Sequence, residues 1–233
     1  MARVDLVRRA QIGLRRRAKS RSQLVQAAMT LISTHPVDAI TVEQVAGKAG
    51  VAKGTFYTHF ENLDAMRAAV TEELTNEFHE LLQPQRAAIA DPVEKIANGC
   101  AAFITQALRN PTWGGLTARG IWAFPAVAKA VQARLDEDLR CAILTRRLAS
   151  IPAEVAFDIV VGIVLQAMRS ASEKKLSPDD LPVIVAAVLR ALGVRADEAS
   201  QIARRISDRH IKDADRCPPQ SSMTNNQGDE HAD

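Results

Sequence analysis

Apolar residues recur every three to four positions along most of this chain, and no run of alternating β-branched residues interrupts them. That spacing is the mark of amphipathic helices. From Ser20 or Ser22 one helix runs to about Thr34, with Leu24, Ala28, Leu31 and Ile32 inward and Pro36 closing it. Two short helices follow within 41–60. Asn62 then caps a rod in which Leu63, Met66, Val70, Leu74, Phe78 and Leu81 share a face; it is expected to stop near Gln83, ahead of Pro84. Further helices are predicted from Pro92 to Arg109, from Leu116 to Ile121 after a break at Asn110–Gly115, and from Pro125 to about Ala149. Three more fall at 153–175, 178–192 and 196–211. The predicted fold class is all-α: an N-terminal three-helix unit, then a larger helical domain.

The segment TVEQVAGKAGVAKGTFYTHF, Thr41 to Phe60, carries the most specific pattern. Thr41 with Gln44 three residues on has capping-box spacing. Val42, Val45 and Ala46 bury one face of a short helix, and Gly50 can take the left-handed conformation that ends it. Val51 fills the angle before a second helix, from about Ala52 to Thr58. That helix turns Phe56 and Phe60 inward and exposes Lys53, Thr55, Tyr57 and His59. Two short helices across a tight turn form a helix-turn-helix, whose second helix enters the DNA major groove. Lysine and protonated histidine suit phosphates or guanine edges, and hydroxyls suit phosphates.

Thr41, Val42, Val45, Ala46, Ala49, Gly50, Val51, Gly54, Thr55, Tyr57, His59 and Phe60 together resemble the DNA-binding domain of TetR-like transcriptional regulators. The resemblance implies that Thr41 and Tyr57 contact phosphates. It implies that Lys53, Gly54, Thr55 and His59 approach base edges or the adjoining backbone. Two positions depart from the pattern. Ala52 stands where the family has a serine N-cap, and Leu63 where it has a phosphate-reaching lysine.

Charge adds an electrostatic context. The 233 residues carry net +3, but residues 1–60 hold ten Lys and Arg against Asp5, Asp38 and Glu43, which leaves the remainder acidic. A basic end on an otherwise acidic protein suits a polyanion. Residues 1–18 are expected to be a flexible basic arm, with Arg16, Arg17 and Lys19 following the phosphate backbone or an adjacent minor groove. Cys100, Cys141 and Cys217 are scattered, with no C-x-x-C, which fits a reducing cytoplasm. Cys100 and Cys141 read as core residues. No apolar leader is seen at the N-terminus, and the stretch Val155–Met168 contains Asp158 and is expected to be too short to span a bilayer.

The helices at 153–171 and 181–192 are apolar around much of their circumference, so each needs cover on two sides. By resemblance they form a four-helix bundle with a second copy, Ile159, Ile163, Ile184 and Val188 lying at the interface. A dimer also suits a palindromic double-stranded operator. Phe103, Trp113, Trp122 and Phe124, with Met168, are candidates for an apolar small-molecule pocket, and Arg119, Gln166 and Arg169 for its polar anchors. Ordinary core packing accounts for such aromatics equally well.

The domain layout expected is an arm at 1–18, the DNA-binding domain at 19–65 (motif 41–60), a ligand-binding and dimerisation domain at 66–212, and a disordered tail at 213–233. The expected function is a homodimeric regulator, a repressor released from DNA by a small apolar effector, without metal or other cofactor and without a membrane partner. A ligand-independent DNA-binding protein and an enzyme are the alternatives. No G-x-G-x-x-G, P-loop or G-x-S-x-G supports the enzyme, and the histidines at 35, 59, 79, 210 and 231 form no metal-ligand spacing.

Overall fold

The computed structural model describes residues 2–86, 88–120 and 124–216, and every regular element among them is helical. In chain order these are α1 (Ala2–Ile32), α2 (Val42–Ala49), α3 (Lys53–His59), α4 (Leu63–Arg86) and α5 (Pro92–Arg109). Then come α6 (Pro111–Gly120), α7 (Pro125–Leu144), α8 (Ala153–Ser172), α9 (Leu181–Ala191) and α10 (Ala196–Arg216). Trp122, Cys217 and the expected tail from 217 onward lie outside the described residues.

Leu24, Ala28 and Ile32 of α1 are buried with Val45 of α2 and Phe56 of α3, so α1 backs the helix-turn-helix. Asn62 starts α4 as expected, its Oδ1 accepting from the Ala65 N–H at 2.9 Å. Met66, Val70, Leu74 and Phe78 line the inner face of α4. This helix packs on α1 at one end and on α5 and α7 along the rest. The remaining helices build a second layer in which α8 meets α5, α6, α7 and α9, while α10 covers α5 and α9. Arg147 ties that layer together, donating to Asp91 at 2.7 Å and to Glu198 at 2.6 Å. These two carboxylates hold its guanidinium above the ordinary value.

Several boundaries differ from the sequence expectation. The segment expected as a flexible arm is the first half of α1 from Ala2 onward; its arginines, alanines and leucines are good helix formers. α4 runs two residues past Pro84 to Arg86; proline removes one backbone bond, and the helix ends within that turn. The expected break at Asn110–Gly115 is a helix start. Asn110 Oδ1 accepts from the Trp113 N–H at 3.1 Å, and Pro111 occupies the first turn. α7 stops at Leu144, where Arg146 takes a left-handed φ of 56° and Arg147 N–H returns to the Ala142 carbonyl at 2.8 Å. Cys141, expected in the core, is exposed; Cys100 is buried, and burial pushes its thiol up to about 12.

α6 reaches both layers, and its glycines show why. A Cβ placed on Gly114 would lie 2.7 Å from the Ala107 Cβ of α5, and one on Gly115 would lie 3.4 Å from the Ser33 carbonyl at the end of α1. Only a missing side chain lets α6 sit this close to α5. α8 as a whole, longer than the apolar stretch Val155–Met168, is long and apolar enough to cross a membrane by length and composition alone, with mean hydropathy 1.5. It is instead packed among four helices of the fold.

Candidate nucleic-acid interface and effector cavity

The helix-turn-helix closes as its residues dictate. The Thr41 Oγ1 accepts from the Gln44 N–H at 3.3 Å, and the Gln44 Oε1 accepts from the Thr41 N–H at 2.9 Å. Gly50 ends α2 at φ 68°, a conformation that disfavours other residues. α3 begins at Ala52 without a side-chain cap. Phe56 is fully buried, with Tyr57 against its edge at 5.5 Å and Phe60 at 5.6 Å. This aromatic anchor fixes the roll of α3 and turns Lys53, Gly54, Tyr57 and Thr58 outward. Tyr57 is 53% exposed, unusual for so large a ring. Thr41 is exposed and Thr55 half-buried. Leu63, at the position of the expected lysine, packs against the core instead.

Two details were not legible in the motif. The Lys53 ammonium lies 2.5 Å from the Glu43 carboxylate of α2. Their hydrogen bond raises the lysine pKa and lowers that of the glutamate. His59 is half-buried and its Nε2 lies 2.7 Å from Ser20 Oγ of α1. Burial, with Arg17 and Arg21 nearby, lowers its pKa below the ordinary value. His59, expected to be exposed, is half-buried, and its contact with Ser20 joins α3 to α1. Arg16, Arg17 and Lys19 are exposed on α1, and Arg21 stacks over the Phe60 ring at 5.5 Å.

A cavity of about 80 Å³ opens in the second layer. Its apolar wall comes from Ile96 and Phe103 of α5, Val131 and Leu135 of α7, and Val160, Val164 and Met168 of α8. Phe103 and Met168, two of the residues named from the sequence, line this cavity. Trp113 is buried behind the cavity, stacked on Phe103 at 6.2 Å and against Phe78 at 5.6 Å. Phe124 is buried at the start of α7. Neither lines the cavity, and Arg119, Gln166 and Arg169 are exposed elsewhere. The polar lining is instead Lys95, Asn98, Thr117, Arg134 and Asp138. Asp138 continues the stripe Val131, Leu135, Ala142 on α7, so a polar residue interrupting an apolar face was the available signal.

The outward faces of α8 and α9 carry apolar residues without cover inside the subunit. Val155 is 47% and Val183 69% exposed, while Ile159, Ile163 and Ile184 are half-buried. Val188, expected beside them, is fully buried. It belongs to the stripe with Val185, Leu189 and Leu192 that seats α9 on α10 and α5.

Comparison with known proteins agrees with this architecture. Residues 24–70 match the family described as bacterial regulatory proteins, tetR family, and residues 91–205 match a tetracyclin repressor-like C-terminal domain. The uncharacterized HTH-type transcriptional regulator YvdT of Bacillus subtilis (strain 168) is 36% identical over 52 residues. That match spans 22% of this chain and only 27% of the relative's length. Among solved structures, RolR without ligand superposes with a TM-score of 0.57 at 26% identity, covering 79% of this chain and 96% of RolR. A gamma-butyrolactone receptor (ArpA-like protein) reaches 0.67 at 16% identity, covering 84% and 99%. The fatty acid degradation regulator FadR from Bacillus halodurans reaches 0.60 at 20%, covering 75% and 99%. With both halves of one family architecture matched in order around a closed helix-turn-helix, the chain belongs to the TetR family of transcriptional regulators.

Proposed function

We propose that the protein is a homodimeric repressor that binds a palindromic operator and leaves it when a small organic molecule enters the second layer. The observation that carries the reading is the outward face of α2 and α3: Thr41, Lys53, Gly54, Thr55, Tyr57 and Thr58 are displayed by a buried aromatic anchor, beside the basic surface of α1. Nothing lies within 4 Å of a Cβ placed on Gly54, and its φ is ordinary, so the fold itself does not call for glycine there. A phosphate backbone approaching α3 closely would. One recognition helix reads few base pairs, and a two-fold pair spaced by about 34 Å reads an inverted repeat. Val155, Ile159, Ile163, Val183 and Ile184 supply the apolar face for that second copy.

Release by ligand needs a mechanical link, and α6 provides a short one. Thr117 lines the cavity, Gly115 abuts the end of α1, and Trp113 packs on Phe78 of α4. Displacing α6 would tilt the DNA-binding unit through both helices, with a coupling on the usual scale of about 1–3 kcal/mol. RolR has also been solved in complex with resorcinol, and another neighbour is a gamma-butyrolactone receptor. Both support a small organic effector here. The test is selection of bound duplexes from a random pool with the full chain. An enriched inverted repeat is expected; a pool with no enrichment overturns the proposal.

A further inference from the structure

Six polar or charged residues are buried among the described residues: Ser33, Asn98, Thr117, Asp138, Ser207 and His210. Three of them, Asn98, Thr117 and Asp138, line the one apolar cavity described above, and a fourth, His210, bonds to Asn98 at 3.0 Å. Polar groups are costly to bury unless each finds a partner. Their gathering at an apolar hollow therefore asks for a reason.

Thr117 is the sharpest of the three. It is 3% exposed, and its Oγ1 has no hydrogen-bond partner. Helical threonines normally bond back to the carbonyl four residues earlier. Thr30, Thr58, Thr71, Thr75 and Thr145 all do so in this chain. Thr117 does not, nor does Thr105 of α5, but of the two only Thr117 lines the cavity, so its hydroxyl is the one that can meet an occupant. At Asn98, the bond to His210 occupies the amide oxygen. Burial lowers His210 to about 4, so the ring is neutral near pH 7 and its Nε2–H donates to Asn98 Oδ1. The Asn98 NH₂ is then the group free to donate elsewhere. Asp138 already has a partner within the protein, but an ionised carboxylate accepts several hydrogen bonds.

The cavity thus combines a donor (Asn98), an acceptor (Asp138) and a group that does both (Thr117), on a wall of Ile96, Phe103, Val160, Val164 and Met168. A hydroxyl is the ligand group that matches such a set, since it donates and accepts at one atom. A carboxylate would set its oxygens against those of Asp138 among the buried polar groups, while the cations of the lining, Lys95 and Arg134, stand half-buried at the mouth. A plain hydrocarbon would leave Thr117 unpaired. Size narrows the class further. A hollow of roughly 150 Å³ holds benzene; at about 80 Å³ this one is smaller, so a single ring would fill it and extend into its mouth, with no enclosed room for a long acyl chain. The half-buried Lys95, Gly99, Val131, Arg134 and Leu135 place the mouth between α5 and α7, open enough for one ring to seat. We infer that this cavity takes a neutral, hydroxyl-bearing single-ring molecule, with its hydroxyl held by Thr117, Asn98 and Asp138. The inference rests on the effector reading for its biological meaning, though not for its chemistry.

Calorimetric titration of the full-length protein with phenol, toluene and benzoate tests it without any variant. Phenol should bind about tenfold or more tighter than either of the other two, one hydrogen bond to a buried partner being of that order. Toluene binding as well as phenol, benzoate binding better, or no binding by any of the three overturns the inference. Thr117→Val keeps the shape and should cut phenol affinity about tenfold while leaving toluene unchanged; equal loss for both ligands would contradict the assigned hydrogen bond. Operator binding with and without phenol separates the two levels. If phenol binds but the operator complex is unmoved, the cavity chemistry stands and the effector reading fails.

Discussion

Replacing Gly114 by alanine tests the packing that links the two layers. The new methyl would lie 2.7 Å from the Ala107 Cβ and 3.1 Å from its Cα. Both atoms are fixed to the α5 backbone, so no side chain can swing aside and α5 or α6 must move. Overpacking of this kind costs about 1–3 kcal/mol. Against it stands the gain of about 1 kcal/mol from alanine over glycine inside a helix. With backbone-anchored atoms on the receiving side the cost belongs in the upper half of its range, so the net loss is about 1–2 kcal/mol. For a chain of this size that lowers Tm by about 3–6 °C. Thermal melts at one fixed protein concentration provide the assay, because self-association would make Tm depend on concentration. Gly115→Ala is the control. Its methyl would sit 3.4 Å or more from every neighbour, so the gain of alanine over glycine is not offset and Tm should hold or rise by about 2–4 °C. An unchanged or raised Tm for Gly114→Ala would refute the close approach of α6 to α5, and with it the short link from cavity to α1.

Other outcomes follow from the same geometry. Gly54→Ala adds a methyl to open space, so the fold should be as stable or slightly more so, while affinity for the selected duplex falls about tenfold; unchanged affinity in a gel-shift titration would remove α3 from close backbone contact. Glu43→Gln frees Lys53 and removes an anion from a surface that meets phosphates, so operator affinity should rise several-fold with stability within about 0.5 kcal/mol; a drop would show the carboxylate itself accepting from a base. Val183→Asp places a charge on the exposed face of α9 and should give a folded monomer in sedimentation, and a persistent dimer would move the interface elsewhere. Burial raises Glu77 of α4 to about 7, so its contribution is present below pH 4.5 and is lost as pH rises through 7. Glu77→Gln should therefore be more stable than the parent at pH 8, with the difference shrinking toward pH 5 in parallel melts.

The helix-turn-helix was legible because each of its signals is local. Thr41 and Gln44, Gly50, and the Phe56–Phe60 pair act over at most five residues, and the structure realises each one. The partial burial of His59 was not legible because Ser20, its partner, is far away in the chain and near only after α1 packs on α3. The helix rods of the second layer were also readable, but their ends less so. Gly114 and Gly115 looked like a break, since a glycine pair weakens a helix; the need for close approach of Gly114 to Ala107 exists only in the folded molecule. The cavity suffered most. Aromatic residues drew attention to Trp113 and Phe124, which are core, whereas Asn98, Thr117 and Asp138 became informative only once the fold showed them buried at one cavity. Val188 differed from its neighbours for a similar reason, as α9 is apolar on both faces and only α10 decides which one is internal.

The central claim is that the outward face of α2 and α3 reads DNA sequence. It is tested most directly by the dissociation constants of the full chain for the selected duplex and for a scrambled duplex, both at 0.15 M salt. Sequence reading predicts a ratio of about 10³ or more in favour of the selected duplex. Equal constants for the two duplexes would contradict it.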